Sequence, residues 1–99
     1  MTRHIILWKL KSMPEAEKKA VMQGIKEGLE GLTGKIPGLL SVQVLTEGLP
    51  SSTADLMLNT AFSAPEDLLV YRDHPAHVAV ADAKVRPYTE TRVAFDYTE

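Results

Sequence analysis

Between Arg3 and Leu10 the residues are β-rich and uninterrupted by a breaker, which predicts a strand. One face carries His4, Ile6, Trp8 and Leu10, the other Ile5, Leu7 and Lys9. Both faces are largely apolar, so the strand is expected to be covered on both sides. Ser12-Met13-Pro14-Glu15 then predicts a helix start. Ser12 serves as N-cap and Glu15 as its capping-box partner, with Pro14 in the first turn, where its missing N–H costs nothing. Val21, Ile25, Leu29 and Leu32 recur at helical spacing, and Gly34 with Pro37 closes the segment.

Leu39 to Thr46 predicts a second strand, followed by an exposed loop over Gly48-Leu49-Pro50-Ser51-Ser52. The third strand runs from Leu56 to Phe62, with Leu56, Leu58 and Phe62 on one face and Met57 and Ala61 on the other. Pro65 begins a short helix through Tyr71, and Pro75 begins another that Pro87 terminates. Thr91 to Tyr97 is the last strand. The order β-α-β-β-α-β, with its second helical region broken at His74-Pro75, predicts an α+β, ferredoxin-like split βαββαβ domain. It would have a four-stranded antiparallel sheet, with residues 1–99 forming a single domain. Right-handed crossovers place every helix on one face of that sheet. The other face must then expose Ile5, Leu7, Met57 and Ala61 or their opposite numbers, and an apolar face of that size marks a protein partner. A second copy, packed sheet to sheet about a two-fold axis, is the simplest one, so a homodimer is expected.

Composition narrows the function classes. With 99 residues, 44% apolar and 24% charged, the chain is a globular domain with little stability to spare. A net charge of −2 without a basic cluster argues against nucleic acid. Absence of cysteine removes disulfides and thiolate metal sites. No apolar run approaches the roughly 20 residues of a membrane helix. Lys9 and Lys11 interrupt the N-terminal apolar stretch, so no signal peptide is expected there, and the expected location is cytoplasmic.

Candidate chemistry concentrates in Tyr71-Arg72-Asp73-His74-Pro75-Ala76-His77, which holds one phenol and two of the three histidines. No continuous helix can hold Tyr71 and His77 across Pro75, but a helix–turn–helix can turn both toward one pocket. A tyrosine–histidine pair tuned near neutral pH would suit proton transfer. Equally, His74 could cap a helix while His77 donates to a backbone carbonyl. His4 shares a strand face with Ile6 and Trp8, so it either meets Tyr71 or His77 inside or sits at a solvated strand end. The imidazoles of His74 and His77 invite a metal reading, but two ligands are too few and His74 precedes the helix; no metal site is expected. Gly31-Leu32-Thr33-Gly34-Lys35 lacks the spacing, the Ser/Thr after Lys and the preceding strand of a phosphate loop. Gly24, Gly28 and Gly31 are expected on one helical face, where close packing or room for a ligand would justify their cost. Asp82, Lys84, Arg86 and Arg92 read as a solvated charged face.

His4-Ile5-Ile6-Leu7-Trp8-Lys9-Leu10-Lys11, Lys35-Ile36-Pro37-Gly38, Tyr71-x-x-His74-Pro75-x-His77 and Phe95-Asp96-Tyr97 resemble the stress-responsive dimeric α/β-barrel (Dabb) family. The resemblance covers nearly the whole chain, with motifs in the same order and at similar spacing. It implies a dimeric α/β barrel. Likeness to a plant aldol cyclase of that family implies His77 as base, Tyr71 as the partner that polarises or orients, and His4 as a supporting residue. Ile6, Trp8, Leu58, Ile25 and Leu29 would wall the pocket. That cyclase lines its alkyl pocket with helix aromatics, whereas here none occurs between Trp8 and Phe62, which leaves the substrate open.

Two functions compete on these grounds. One is a cofactor-independent enzyme acting on a small, partly apolar, carbonyl-bearing molecule, in which His77 takes an α-proton and Tyr71 donates to the enolate oxygen. The other is a non-catalytic, stress-associated ligand-binding dimer. A haem-handling or oxygen-using enzyme is a further alternative, by fold analogy alone.

Overall fold

The computed structural model describes residues 1–99. Its elements are β1 (Thr2–Leu10), α1 (Glu15–Glu30), β2 (Leu39–Leu45), β3 (Leu56–Phe62), α2 (Pro65–Asp73), α3 (Pro75–Val80) and β4 (Thr89–Thr98). Between α3 and β4 the helical path widens into a π-turn over Ala81–Val85, closed by the Arg86 N–H donating to the Ala81 carbonyl at 2.8 Å. The four strands lie in the order β2-β3-β1-β4, and every neighbouring pair is antiparallel. This is the ferredoxin-like α+β arrangement that the element order predicts.

Strand alternation sorts the residues. In β1, His4, Ile6, Trp8 and Leu10 are buried, while Leu7 and Lys9 are exposed. Directly paired residues share a face. Leu58 beside Ile6, Val44 beside Leu58 and Phe62 beside Thr2 therefore join the buried side, where Ile25 and Leu29 of α1 pack upon them. The turn after α1 adds Leu32 and Ile36 to the same core. On the opposite face no element of this chain covers Leu7, Leu45, Val93, Phe95 and Tyr97; Phe95 is 69% and Val93 56% exposed. The expectation that β1 is covered on both sides thus fails within one chain.

Local signals account for most boundaries, with two corrections. Helix α1 begins at Glu15, and Ser12 does not cap it. Pro14 is the flanking residue with an extended ψ of 149°, and no side chain caps the helix. The first turn relies instead on the Pro14 carbonyl accepting from the Lys18 N–H at 2.9 Å and on acidic Glu15 and Glu17 near the positive helix end. The glycines of α1 do not form a common contact face. A Cβ at Gly28 would lie 2.9 Å from Val80 Cγ1, which is close packing, but one at Gly24 would meet nothing within 4 Å. Gly31 ends the helix.

Gly38 is a glycine the fold requires on two counts. Its φ is +82°, and a Cβ there would fall 2.6 Å or less from Cβ, Cγ and Oδ1 of Asp67. The Asp67 carboxylate is itself held at the start of α2 by the Ala64 N–H at 3.1 Å, and Ser63 N–H donates to the Gly38 carbonyl at 3.0 Å. Gly38→Ala is expected to cost at least about 1–2 kcal/mol, because it adds a left-handed penalty to a clash. That cost lowers Tm by roughly 4–8 °C per kcal/mol for a domain of this size. Gly24→Ala, in open space mid-helix, should instead raise stability by about 0.5–1 kcal/mol. Thermal melts of both variants check the pair; equal melting temperatures would contradict the assignment.

Candidate functional site

The break at Pro75 creates the site. His74 is extended (ψ 132°), and its Nδ1 accepts the Ala76 N–H at 3.1 Å, capping α3. With Pro75 in the first turn, α3 starts in a new direction. The last turn of α2 and the first of α3 therefore bring Tyr71 and His77 together. Their ring centroids are 4.2 Å apart and tilted by 35°. His4 reaches the same place from β1, its ring 6.4 Å from Tyr71 in an edge contact, and Phe62 supports Tyr71 from below at 5.1 Å.

These three polar side chains line one cavity of about 540 Å³ between the helices and the half of the sheet formed by β1 and β4. Its floor is Ile6, Trp8, Leu58 and Ala94, and Leu29, Ala81 and Val85 close it from the helical side. Of the apolar residues expected in the pocket, Ile6, Trp8, Leu58 and Leu29 line it. Ile25 does not. It is wholly buried in the core, one helical turn from Leu29.

Each polar group has a distinct electrostatic situation. His77 Nδ1 lies 3.1 Å from the Arg72 carbonyl, which can only accept, so Nδ1 carries the proton and Nε2 keeps its lone pair free. Burial holds this imidazole below its ordinary value, opposed by that hydrogen bond and reinforced by Arg86, His4 and Arg92. Desolvation pushes the Tyr71 phenol up to about 12, and Arg92 pulls slightly against it. Tyr71 is 2% exposed, and its hydroxyl is buried without a hydrogen-bond partner. An unmade hydrogen bond of that kind costs about 1–3 kcal/mol. His4 Nδ1 pairs with the Asp96 carboxylate across the β1–β4 register, and Thr60 Oγ1 donates to the His4 carbonyl at 2.8 Å.

The structure therefore brings His4, Tyr71 and His77 to one cavity and sets His74 aside as a cap. Tyr71 and His77 touch ring to ring and share no hydrogen bond. No group of three or more histidine and carboxylate side chains stands where a metal could be held. Several lining residues escape the sequence reading, and three of them are charged groups on or beside β4. Arg86 and Arg92 are cavity wall, not merely a solvated face, and Asp96 orients His4. Strand pairing was the available signal. Once β4 neighbours β1, Asp96 must stand opposite His4, and Arg92 opposite Trp8.

No curated protein matches the chain. Among solved structures, a dimeric protein of unknown function with a ferredoxin-like fold from Bacteroides fragilis is 33% identical. That match covers 97% of this chain and 93% of the other, at a TM-score of 0.90. A Dabb family protein from Mesorhizobium loti is 21% identical over 99% of this chain and 95% of its own, at 0.76. The hydroxynitrile lyase of Passiflora edulis is 18% identical over 97% and 90%, at 0.71. The model of the stress responsive A/B barrel domain matches residues 2–99. With that match over nearly its whole length, the chain belongs to the stress responsive A/B barrel (Dabb) domain family.

Proposed function

We propose that the protein is a homodimer whose subunits each hold a small, partly apolar carbonyl compound in the His4–Tyr71–His77 cavity and act on it by acid–base chemistry. The observation that carries this reading is the buried Tyr71 hydroxyl, which has a proton to donate and no acceptor, beside an imidazole whose Nε2 is free. A carbonyl oxygen would satisfy that donor. The aromatic and aliphatic floor suits the apolar part of such a molecule.

In the proposed step, His77 Nε2 takes a proton from the carbon next to the carbonyl. The C–H electron pair becomes the enolate double bond, and the carbonyl π pair moves onto oxygen. Tyr71 donates a hydrogen bond to that oxygen. A phenol pushed up to about 12 remains protonated at neutral pH, so it stabilises the oxyanion without giving up its proton. The Arg72 carbonyl keeps His77 in the tautomer a base needs. His4, oriented by Asp96, supports the tyrosine edge. The enolate can then attack a second carbonyl, as in an aldol-type ring closure, or return to starting material. Passiflora edulis hydroxynitrile lyase is an enzyme of the same fold.

The uncovered sheet face supports dimerisation. Leu7, Val93, Phe95 and Tyr97 lie side by side there, with the rings of Phe95 and Tyr97 6.0 Å apart. A patch of this kind is what a sheet-to-sheet partner covers. The Bacteroides fragilis relative is described as dimeric, which supports the same assembly for this chain.

Three outcomes are expected. Light scattering should give a dimer for the wild type and a folded monomer for Phe95→Glu, because a charge buried without a partner destabilises the interface by several kcal/mol; a variant that remains a dimer would place the interface elsewhere. Deuterium incorporation at the methyl carbon of acetophenone in D2O, followed by proton NMR, should be faster with the protein than in buffer. His77→Ala should remove about 10²- to 10⁴-fold of the acceleration. Acetophenone bound without exchange would identify a ligand-binding module instead of an enzyme. Finally, since burial holds His77 below 6.5, the exchange rate should rise with pH through that lowered value and level off by neutrality. An NMR titration finding His77 still protonated above pH 7 would rule out its role as base.

A further inference from the structure

We infer that the cavity selects ligands carrying a carboxylate at the end remote from the carbonyl, and that Arg92 is the residue that binds it. Three guanidinium groups line the cavity, Arg72, Arg86 and Arg92, in a chain whose net charge is −2. Two of them are already neutralised. Arg72 pairs with Asp73 at 3.2 Å and Arg86 with Asp82. Asp96, the one carboxylate in the lining, is taken by His4. Arg92 has neither an ion pair nor a side-chain hydrogen bond, so the cavity presents one uncompensated planar cation.

Its position defines the ligand. On the cavity side of β4 the residues Arg92, Ala94 and Asp96 alternate, opposite Trp8, Ile6 and His4. Arg92 and Asp96 are four residues apart on an extended strand, a separation of roughly 13 Å. The acid–base end of the cavity, at His4, and the cationic end, at Trp8, are thus separated by an apolar floor of Ile6 and Ala94. Arg92 is still near enough for its charge to act on both Tyr71 and His77. A molecule that fits has a carbonyl at Tyr71, an apolar middle and an anionic tail at Arg92: an oxo acid. A guanidinium matches a carboxylate with two parallel hydrogen bonds, which a neutral ester cannot reproduce. The orientation of the ligand rests on the carbonyl-binding reading above; the charge preference does not.

The test is a titration with 5-oxo-5-phenylpentanoate and its methyl ester, two probes of one shape and different charge, read by amide chemical shifts. Wild type should bind the acid roughly tenfold more tightly than the ester, a modest preference because Arg92 is solvent-exposed. Arg92→Gln should erase the preference and leave ester affinity unchanged, and Arg72→Gln, whose cation is already paired, should keep it. Equal affinities in the wild type, a preference that survives Arg92→Gln, or no shift with either probe would each overturn the inference. Tyr71→Phe separates the two readings. If it weakens acid and ester alike, the carbonyl site stands whatever Arg92 does. If it weakens neither while the acid preference persists, Arg92 remains an anion anchor and the carbonyl reading fails.

Discussion

Everything in this domain depends on the period-two alternation of β1, a central strand that pairs with β3 on one side and β4 on the other. His4, Ile6, Trp8 and Leu10 face the helices; Arg3, Ile5, Leu7 and Lys9 face away. A register slip of one residue would exchange the two sets, placing Lys9 in the core and Trp8 outside. The same alternation, propagated through pairing, sets Leu58 and Val44 in the core, Ala94 in the cavity floor and Phe95 on the open face. Core, cavity and uncovered sheet face are three readouts of one strand.

The cavity exists because the helical layer is narrower than the sheet. Helix α1 lies over β2, and α2 meets β1, β2 and β3, so the helix-side face of β4 is left partly open. An open strand on the helical side would ordinarily be filled by core side chains. Here Arg92 and Asp96 occupy it instead, and neither can be buried unpaired at low cost. Arg92 and Asp96 line this open side of the cavity, and the His77 imidazole and Tyr71 ring line it from the helical side.

Much of this was legible in the chain because the signals were local. Proline at 65, 75 and 87 sets the helix limits, alternation sets the strands, and the order of elements sets the topology. Local chemistry also shows that His74 can cap and that Pro75 lets Tyr71 meet His77. What escaped has one cause: it depends on which strands become neighbours. The partnership of Asp96 with His4 spans nearly the entire chain, and Arg92 looks like any surface arginine until β4 is laid beside β1. Ile25 and Leu29 share a helical stripe, yet only Leu29 reaches the cavity, because α1 leans over β2 and not over β4. The missing cap at Ser12 reflects competition. Pro14 is held extended, so the helix cannot begin early enough for Ser12 to reach it.

The π-turn at Ala81–Val85 has a consequence for how such a pocket changes over generations. Widening a helix by one residue per turn places Ala81 and Val85, both cavity-lining, on either side of a single extra step of backbone. Deleting one residue there would restore an ordinary α-helical turn and swing the lining without touching the pairing of any strand. The frame and the pocket are therefore separately heritable: one-residue insertions and deletions in this turn can resize the chamber, while the sheet and its uncovered face stay as they were.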